Sequence, residues 1–158
     1  MYLKLLSMLF AVVLVSACAD DPTSSNKNTG GGGGLTSSIR PGSQEDLAAN
    51  VGDRVFFEFD RSDLSAEARA TLDRQAAWLK NYGSVSFTVE GHCDERGTRE
   101  YNIGLGNRRA AAVRNYLVAR GVSGNRLKTI SYGKERPAVL GSGESAWAQN
   151  RRGVSVVD

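Results

Sequence analysis

The sequence is poor in the residues from which most catalytic and metal sites are built. It contains one histidine and two cysteines among 158 residues. The histidine, His92, is followed directly by Cys93 and Asp94, and neighbouring side chains of an extended segment point to opposite sides, so the three do not converge on one reacting atom. A cysteine protease would need another histidine, and a zinc site would need paired ligand spacing. We therefore expect no enzyme, no metal site and no cofactor.

The sequence also lacks an excess of charge of either sign. The formal net charge is +3, and acidic residues are spread among the lysines and arginines. A nucleic-acid-binding domain would instead carry a basic face from which acids are excluded. We therefore expect no nucleic-acid partner.

The N terminus has an apolar run, but a short one. Leu5–Ala17 follows a lysine and holds 13 mostly apolar residues, whereas a membrane-spanning helix needs roughly 20. A charged start, a run of this length and small residues before a cut point are typical of an export signal. We predict a signal peptide over residues 1–17.

The residues around the predicted cut point suggest a lipid anchor. Val15–Cys18 (VSAC) resembles the bacterial lipobox, which implies a diacylglycerol on the Cys18 thiol, cleavage before it and acylation of the new amino group. Two or more acyl chains hold a protein stably on a membrane. Ala19 resembles the sorting pattern of lipoproteins sent to the outer membrane, with the domain facing the periplasm. The alternative is an ordinary signal peptide with a chance cysteine.

The segment after Cys18 has almost nothing to bury. It is rich in Ser, Thr and Asn and contains five consecutive glycines, Gly30–Gly34. Such a composition does not offset its ordering entropy and predicts a flexible tether. The remaining length suits one modest domain with a real core. We predict a lipidated cysteine and tether over 18–42 and one folded domain over 43–158.

Apolar periodicity predicts the elements of that domain. Strands are expected at 51–59, 84–91, 126–133 and 151–158, and helices at 66–81 and 100–120, after a short helix capped by Ser43. The helical core stripes are Ala68, Leu72, Ala76 and Leu79, and then Ile103, Ala110, Val113 and Leu117. The order β-α-β-α-β-β predicts an α/β sandwich with helices packed on a mixed sheet. The strand order does not follow from the pattern.

A set of polar residues stands apart from these stripes. Its members are Asp60, Asp94, Arg96, Asn102 and Arg109, together with the apolar Leu105. Asn102, Leu105 and Arg109 have the i, i+3, i+7 spacing of one helix face. A carboxylate in the preceding loop and an arginine on that face can oppose each other across a shallow pocket. From the residues alone, such a pair is equally compatible with a structural salt bridge.

Four sequence blocks decide between these interpretations. FEFDRSDL, VEGHCDERGTREYNIGLGNRRAAAVRNYLVARGV, SYGKERPAVLG and NRRGVSVV resemble the OmpA-like peptidoglycan-binding domain family. With the lipobox and tether, they resemble the peptidoglycan-associated lipoproteins of that family. The resemblance implies non-covalent binding of the meso-diaminopimelate in the peptidoglycan stem peptide. The family's paired Asp and Arg fall on Asp94 and Arg109, and its supporting residues fall on Phe59, Asp60, Asn102 and Leu105.

The resemblance also implies a chemical role for each group. Asp94 would take the ligand's ammonium, Arg109 its carboxylate through two parallel hydrogen bonds, and Leu105 would flank the aliphatic stem. Both charged side chains are expected on the rim of the site, outside the core, so the fold should survive their loss. His92 is expected to be a partly buried, hydrogen-bonded ring, and Cys93 a small filler.

Partners are implied by the resemblance alone. It implies TolB and TolA, and a role in tethering the outer membrane to the cell wall and in constriction at cell division. One alternative is a wall-tethering lipoprotein without Tol partners. Another is a flagellar stator protein, against which the lipobox and the short apolar run argue.

Cys18→Ser tests the lipid anchor. If Cys18 is the only membrane anchor, this change releases the domain into the periplasm or leaves an uncleaved precursor. Fractionation and mass spectrometry of the N terminus measure both. Fully processed protein that remains in the outer membrane would rule the anchor out.

Cys93→Ala tests the remaining thiol. With Cys18 used by lipid, Cys93 has no intramolecular disulfide partner in an oxidising compartment. We expect the variant to keep its fold and its wall binding, measured by circular dichroism and a binding titration. A tenfold loss of affinity would restore a reactive role for the thiol.

Overall fold

A computed structural model of the chain describes residues 39–158. The predicted signal peptide, Cys18 and the tether up to residue 38 lie outside the described residues and stay predictions. In the described part, no helix has the length and apolar character needed to cross a membrane.

The domain consists of four helices and one four-stranded sheet. The helices are α1 (Gln44–Asp46, continued by a π-helical turn over Leu47–Val51), α2 (Ala66–Asn81), α3 (Arg99–Ala119) and α4 (Glu144–Asn150). The strands are β1 (Arg54–Phe56), β2 (Phe87–His92), β3 (Leu127–Gly133, after a 3-10 turn at Gly124–Arg126) and β4 (Arg152–Val157). The order β1-β4-β2-β3 contains one parallel pair, β2 with β3. The predicted mixed α/β class is confirmed.

Two predicted elements need correction. The first strand is shorter than 51–59, because Val51 closes the π-helical turn and Gly52 follows with a φ of 96°. Helix α4 was expected to be loop. It begins at Glu144, after the N-cap Gly143, which has a φ of 118° and makes no side-chain cap hydrogen bond, so the sequence lacks the Ser, Thr, Asp or Asn that usually announces a helix. The other elements lie within a few residues of their predicted bounds.

The core lies between the inner face of the sheet and helices α2 and α3. The predicted stripe of α2 is fully buried, and so are Ala110, Val113 and Leu117 of α3; only Ile103 is half-buried. Gln75 is buried among these residues, donating to the Gly52 carbonyl at 2.7 Å and accepting from the Ser155 hydroxyl at 2.8 Å. Its amide therefore ties α2 to the turn before β1 and to β4 without leaving a buried polar atom of its own unpaired.

The sheet topology brings four segments to one edge. Because β4 runs antiparallel to both β1 and β2, the start of β4 lies beside the ends of the other two. The parallel crossover from β2 to β3 lays α3 across the sheet, with its N-terminal half over the same edge. Residues after β1, residues after β2, residues before β4 and the first turns of α3 therefore meet there.

Two glycines set the distance between α3 and the sheet at this edge. A Cβ on Gly91 of β2 would lie 1.9 Å from the Gly106 carbonyl oxygen, and one on Gly106 would lie 2.2 Å from the Ser131 hydroxyl. Backbone therefore packs directly on backbone, which only residues without a side chain permit. This contact fixes the height of α3 above the end of β2.

Gly106→Ala tests the close contact, with Gly104→Ala as its control on the same helix. A Cβ on Gly104 meets nothing closer than the Arg108 side chain at 3.6 Å, so this variant should gain up to about 1 kcal/mol of helix propensity. Gly106→Ala should instead lose about 1–3 kcal/mol by overpacking. Urea unfolding measures both. Equal stability of the two variants would contradict the contact.

Candidate functional site

A pocket of about 160 Å³ opens at the edge where the four segments meet. All seven residues predicted for the site line it, namely Phe59, Asp60, Asp94, Arg96, Asn102, Leu105 and Arg109, together with Cys93, Gly97 and Tyr101. Phe59 and Asp60 come from the segment after β1, and Asp94 and Arg96 from residues 93–98, the β2–α3 loop. The structure thus brings together side chains that are up to 50 positions apart.

Helix α3 supplies one wall of this pocket. Its first turn is capped by Thr98, whose hydroxyl accepts from the Tyr101 amide. Asn102, one turn further on, donates to the carbonyls of Arg96 at 2.7 Å and Thr98 at 3.0 Å. Asn102 is buried, and its amide therefore holds the β2–α3 loop against the helix.

Arg109 forms the floor of the pocket and is completely buried. Its guanidinium donates to the carbonyls of Arg61 and His92, each at 2.8 Å, and of Glu58 at 3.0 Å. The expectation that Arg109 lies on the rim is therefore wrong. Its i+7 position from Asn102 puts it on the face that packs on the sheet edge, where main-chain carbonyls enclose it. Burial lowers the pKa of Arg109 from its ordinary value.

Asp94 is also buried, so the expectation that it lies on the rim is wrong as well, and its partner is not Arg109. Its carboxylate accepts from Arg96 Nη2 at 2.5 Å and Nε at 3.2 Å, from the Arg96 amide at 3.1 Å, and from Arg151 Nη1 at 3.4 Å. Burial alone would raise the pKa of Asp94, but the bonds from Arg96 and Arg151 outweigh it and hold the pKa below its ordinary value. Asp94 is thus an anion at neutral pH.

Arg96 is held on both faces by aromatic rings. Its guanidinium carbon lies 3.9 Å from the Phe59 ring centre and 4.1 Å from that of Trp147. Trp147 belongs to α4, and its indole N–H donates to the Glu95 carboxylate at 2.9 Å. We call this arrangement of Phe59, Arg96 and Trp147 the arginine stack. It places a cation at the mouth of the pocket in a fixed orientation.

Asp60 also lines the pocket and is exposed. It has a φ of 56° and is the one non-glycine residue with a positive φ in the range 39–158. Aspartate tolerates this left-handed conformation better than most residues. The Tyr101 hydroxyl donates to one of its carboxylate oxygens, which fixes the side chain beside α3.

His92 is more deeply buried than expected, and Cys93 is not only a filler, since it lines the pocket. The His92 ring is buried and contacts the Glu90 carboxylate at 3.1 Å, while burial and the nearby Arg152 cation lower its pKa. The Cys93 thiol is buried and donates to the Asn102 carbonyl at 3.4 Å, and burial raises its pKa. Within residues 39–158, no cluster of His, Cys, Asp or Glu side chains is arranged to hold a metal ion.

Three residues of the site escaped the sequence analysis. Arg151 contacts Asp94 from the start of β4, Tyr101 holds Asp60, and Trp147 completes the arginine stack. Tyr101 and Arg151 stand inside the sequence blocks that carry the family resemblance, so a signal for them existed. Trp147 lies in the unpredicted helix α4, and no pattern pointed to it.

The arrangement is suited to binding a small zwitterion. A guanidinium has five N–H donors, and carbonyls accept from only three of those on Arg109, which borders the pocket. Two carboxylates, Asp60 and Asp94, stand around the same pocket and favour an ammonium group. The aliphatic side chain of Leu105 lines the same pocket.

Comparisons with known proteins identify the family. The model of the OmpA family matches residues 56–151, more than half of the chain. The peptidoglycan-associated lipoprotein of Rhizobium meliloti (strain 1021) is 61% identical over 117 residues, which are 74% of this chain and 66% of that protein. That of Brucella melitensis biotype 1 is 55% identical over 118 residues, 75% of this chain and 70% of that protein.

A solved structure agrees with these matches. The crystal structure of the peptidoglycan-associated lipoprotein from Burkholderia pseudomallei superposes with a TM-score of 0.68 at 37% identity, covering 72% of this chain and 98% of that one. The blocks that suggested the resemblance thus coincide with a shared fold. The chain belongs to the OmpA family, alongside the peptidoglycan-associated lipoproteins.

Proposed function

We propose that this protein binds peptidoglycan without breaking any bond, through the meso-diaminopimelate of the stem peptide. The names of its relatives support binding to peptidoglycan. The side-chain terminus of diaminopimelate carries an ammonium and a carboxylate on one carbon, which matches a pocket with a cation at its floor and anions on its walls. The proposed ligand-binding residues are the seven predicted ones.

The proposal rests chiefly on the fact that Arg109 is a buried cation without an anionic hydrogen-bond partner in the described part of the chain. A buried cation is costly unless it is paired, and within residues 39–158 no carboxylate is hydrogen-bonded to this one. Its bonds go to three neutral carbonyls, and it borders the pocket. A ligand carboxylate that accepts the two remaining N–H groups would supply the missing negative charge.

The ammonium end of the ligand meets two carboxylates. Asp94 is ionised but already accepts from Arg96 and Arg151, so a ligand ammonium adds to an existing network there. Asp60 is exposed and has one oxygen engaged by Tyr101. The two carboxylates act together in the proposed mode, with Asp94 as the fixed anion and Asp60 as the accessible one.

The proposed role of the whole protein follows from this binding site. With Cys18 lipidated, the domain would attach the outer membrane to the cell wall from the periplasmic side. Binding to TolB and TolA, and a part in constriction at cell division, belong to the same proposal by family resemblance. A pull-down with TolB separates this assignment from a wall tether without Tol partners.

Arg109→Lys tests the ligand carboxylate contact, with Arg108→Lys as its control at the next position of α3. Arg109→Ala is less informative, because it would strip a donor from three carbonyls and damage the fold. Lysine keeps the charge but loses the planar fork, so we expect about 10- to 100-fold weaker binding of a stem tripeptide ending in diaminopimelate. Arg108 is exposed, and its variant should bind as the wild type does.

Isothermal titration of the full chain in detergent measures these affinities, and circular dichroism confirms folding. The same peptide with lysine in place of diaminopimelate lacks the second carboxylate and should bind at least tenfold more weakly to the wild type. Equal affinity for both peptides, or wild-type binding by a folded Arg109→Lys chain, would contradict the proposed binding of diaminopimelate.

A further inference from the structure

Helix α4 contacts the β2–α3 loop through a side chain that stays outside the pocket. Trp147 is not among the residues that line it. Its ring covers one face of the Arg96 guanidinium at 4.1 Å, and its indole N–H donates to Glu95 at 2.9 Å. One side chain thus holds two consecutive residues of the loop, in two different ways.

Asp94 depends on the residue that Trp147 holds. Three of its four hydrogen bonds come from Arg96, two from the guanidinium and one from the amide. The fourth, from Arg151, is the longest at 3.4 Å. The direction of the Asp94 carboxylate is therefore set chiefly by where the Arg96 guanidinium lies.

The support behind Trp147 is itself fixed. Asn150, the last residue of α4, is buried; it accepts from the amides of Ala138 and Val139 and donates to the Val139 carbonyl. Arg151 bonds Glu144 in the first turn of α4 at 2.5 Å and the Phe57 carbonyl at 3.0 Å. Helix α4 is thus attached at both ends, and its tryptophan is a rigid surface for Arg96.

We infer that Trp147 is a positioning residue: through the arginine stack and its bond to Glu95 it fixes Arg96, and through Arg96 it fixes the Asp94 carboxylate for an ammonium-bearing ligand. The inference rests on the proposed function for its effect on affinity. Its effect on Asp94 concerns the free protein and is independent of any ligand. Trp147 acts without touching the ligand.

Three variants separate the contributions. Trp147→Ala removes both the ring and the N–H donor, and we expect about tenfold weaker binding of the diaminopimelate tripeptide, the change that corresponds to about 1.4 kcal/mol. Trp147→Phe keeps a ring over Arg96 and loses the bond to Glu95, so it should recover part of that loss. Gln149→Ala is the control, since Gln149 is exposed on the same helix and bonds only within it, to Ser145.

Two further readouts distinguish positioning from mere stabilisation. The pKa of the Asp94 carboxyl, measured by carbon-13 NMR titration of the free chain, should rise in Trp147→Ala, because the Arg96 contacts that lower it are loosened. Ligand addition should change the tryptophan fluorescence of the wild type, and this change should be absent in Trp147→Phe. A simple loss of folding stability would not move the carboxyl pKa of the folded protein.

The outcomes are distinguishable. An unchanged Asp94 pKa in a folded Trp147→Ala chain overturns the positioning role, whatever the ligand. Wild-type affinity of the Trp147→Ala chain for the tripeptide overturns the inferred effect of Trp147 on ligand binding. A wild-type chain that does not bind the tripeptide contradicts the proposed function instead, and the NMR titration still decides the role of Trp147.

Discussion

The buried guanidinium of Arg109 is the interaction on which the site depends. Its three bonds join α3 to carbonyls from the segment after β1 and from the end of β2. Those segments carry the other side chains of the pocket, so one cation holds their backbones in register. A neutral or shorter residue would leave the buried His92 carbonyl unpaired, at about 1–3 kcal/mol, and would release the part-buried carbonyls of Glu58 and Arg61. The position of the pocket and its charge therefore come from the same group.

This arrangement uses a charge that is incompletely compensated. Carbonyl dipoles solvate Arg109 partly, and burial lowers its pKa, so the free protein carries an electrostatic cost at the floor of the pocket. A buried cation surrounded by anions would be more stable but would have nothing left to offer a ligand. The charge of Asp94, by contrast, is fully compensated, because two arginines pair with it. The two groups are both buried and differ in compensation: Asp94 is paired with cations, whereas Arg109 is bonded to neutral carbonyls.

The sequence predicted which residues line the pocket, but it did not predict their burial or their hydrogen-bond partners. Helical periodicity placed Asn102, Leu105 and Arg109 on one face, and the structure confirms that they share the pocket. The burial of Arg109 was missed because arginine is ordinarily exposed, and only the tertiary position of its helix face encloses it. The contact of Arg151 with Asp94 was missed because it depends on the strand order, which no local pattern encodes. Helix α4 was missed because its start has no side-chain cap.

The glycine contact explains why these polar groups can be so close to the core. Gly91 and Gly106 let α3 approach β2 at backbone distance, which shortens the reach from the helix to the strand end and lets the Arg109 side chain meet the His92 carbonyl. A wider separation would admit water around the guanidinium and screen its charge. The low exposure of Arg109 and Asp94 instead keeps their interactions strong, and salt screens buried charges much less than surface ones. Close helix packing therefore contributes to the electrostatics of the site. The short distance between the two backbones excludes water and so lowers the local dielectric constant around the charged groups.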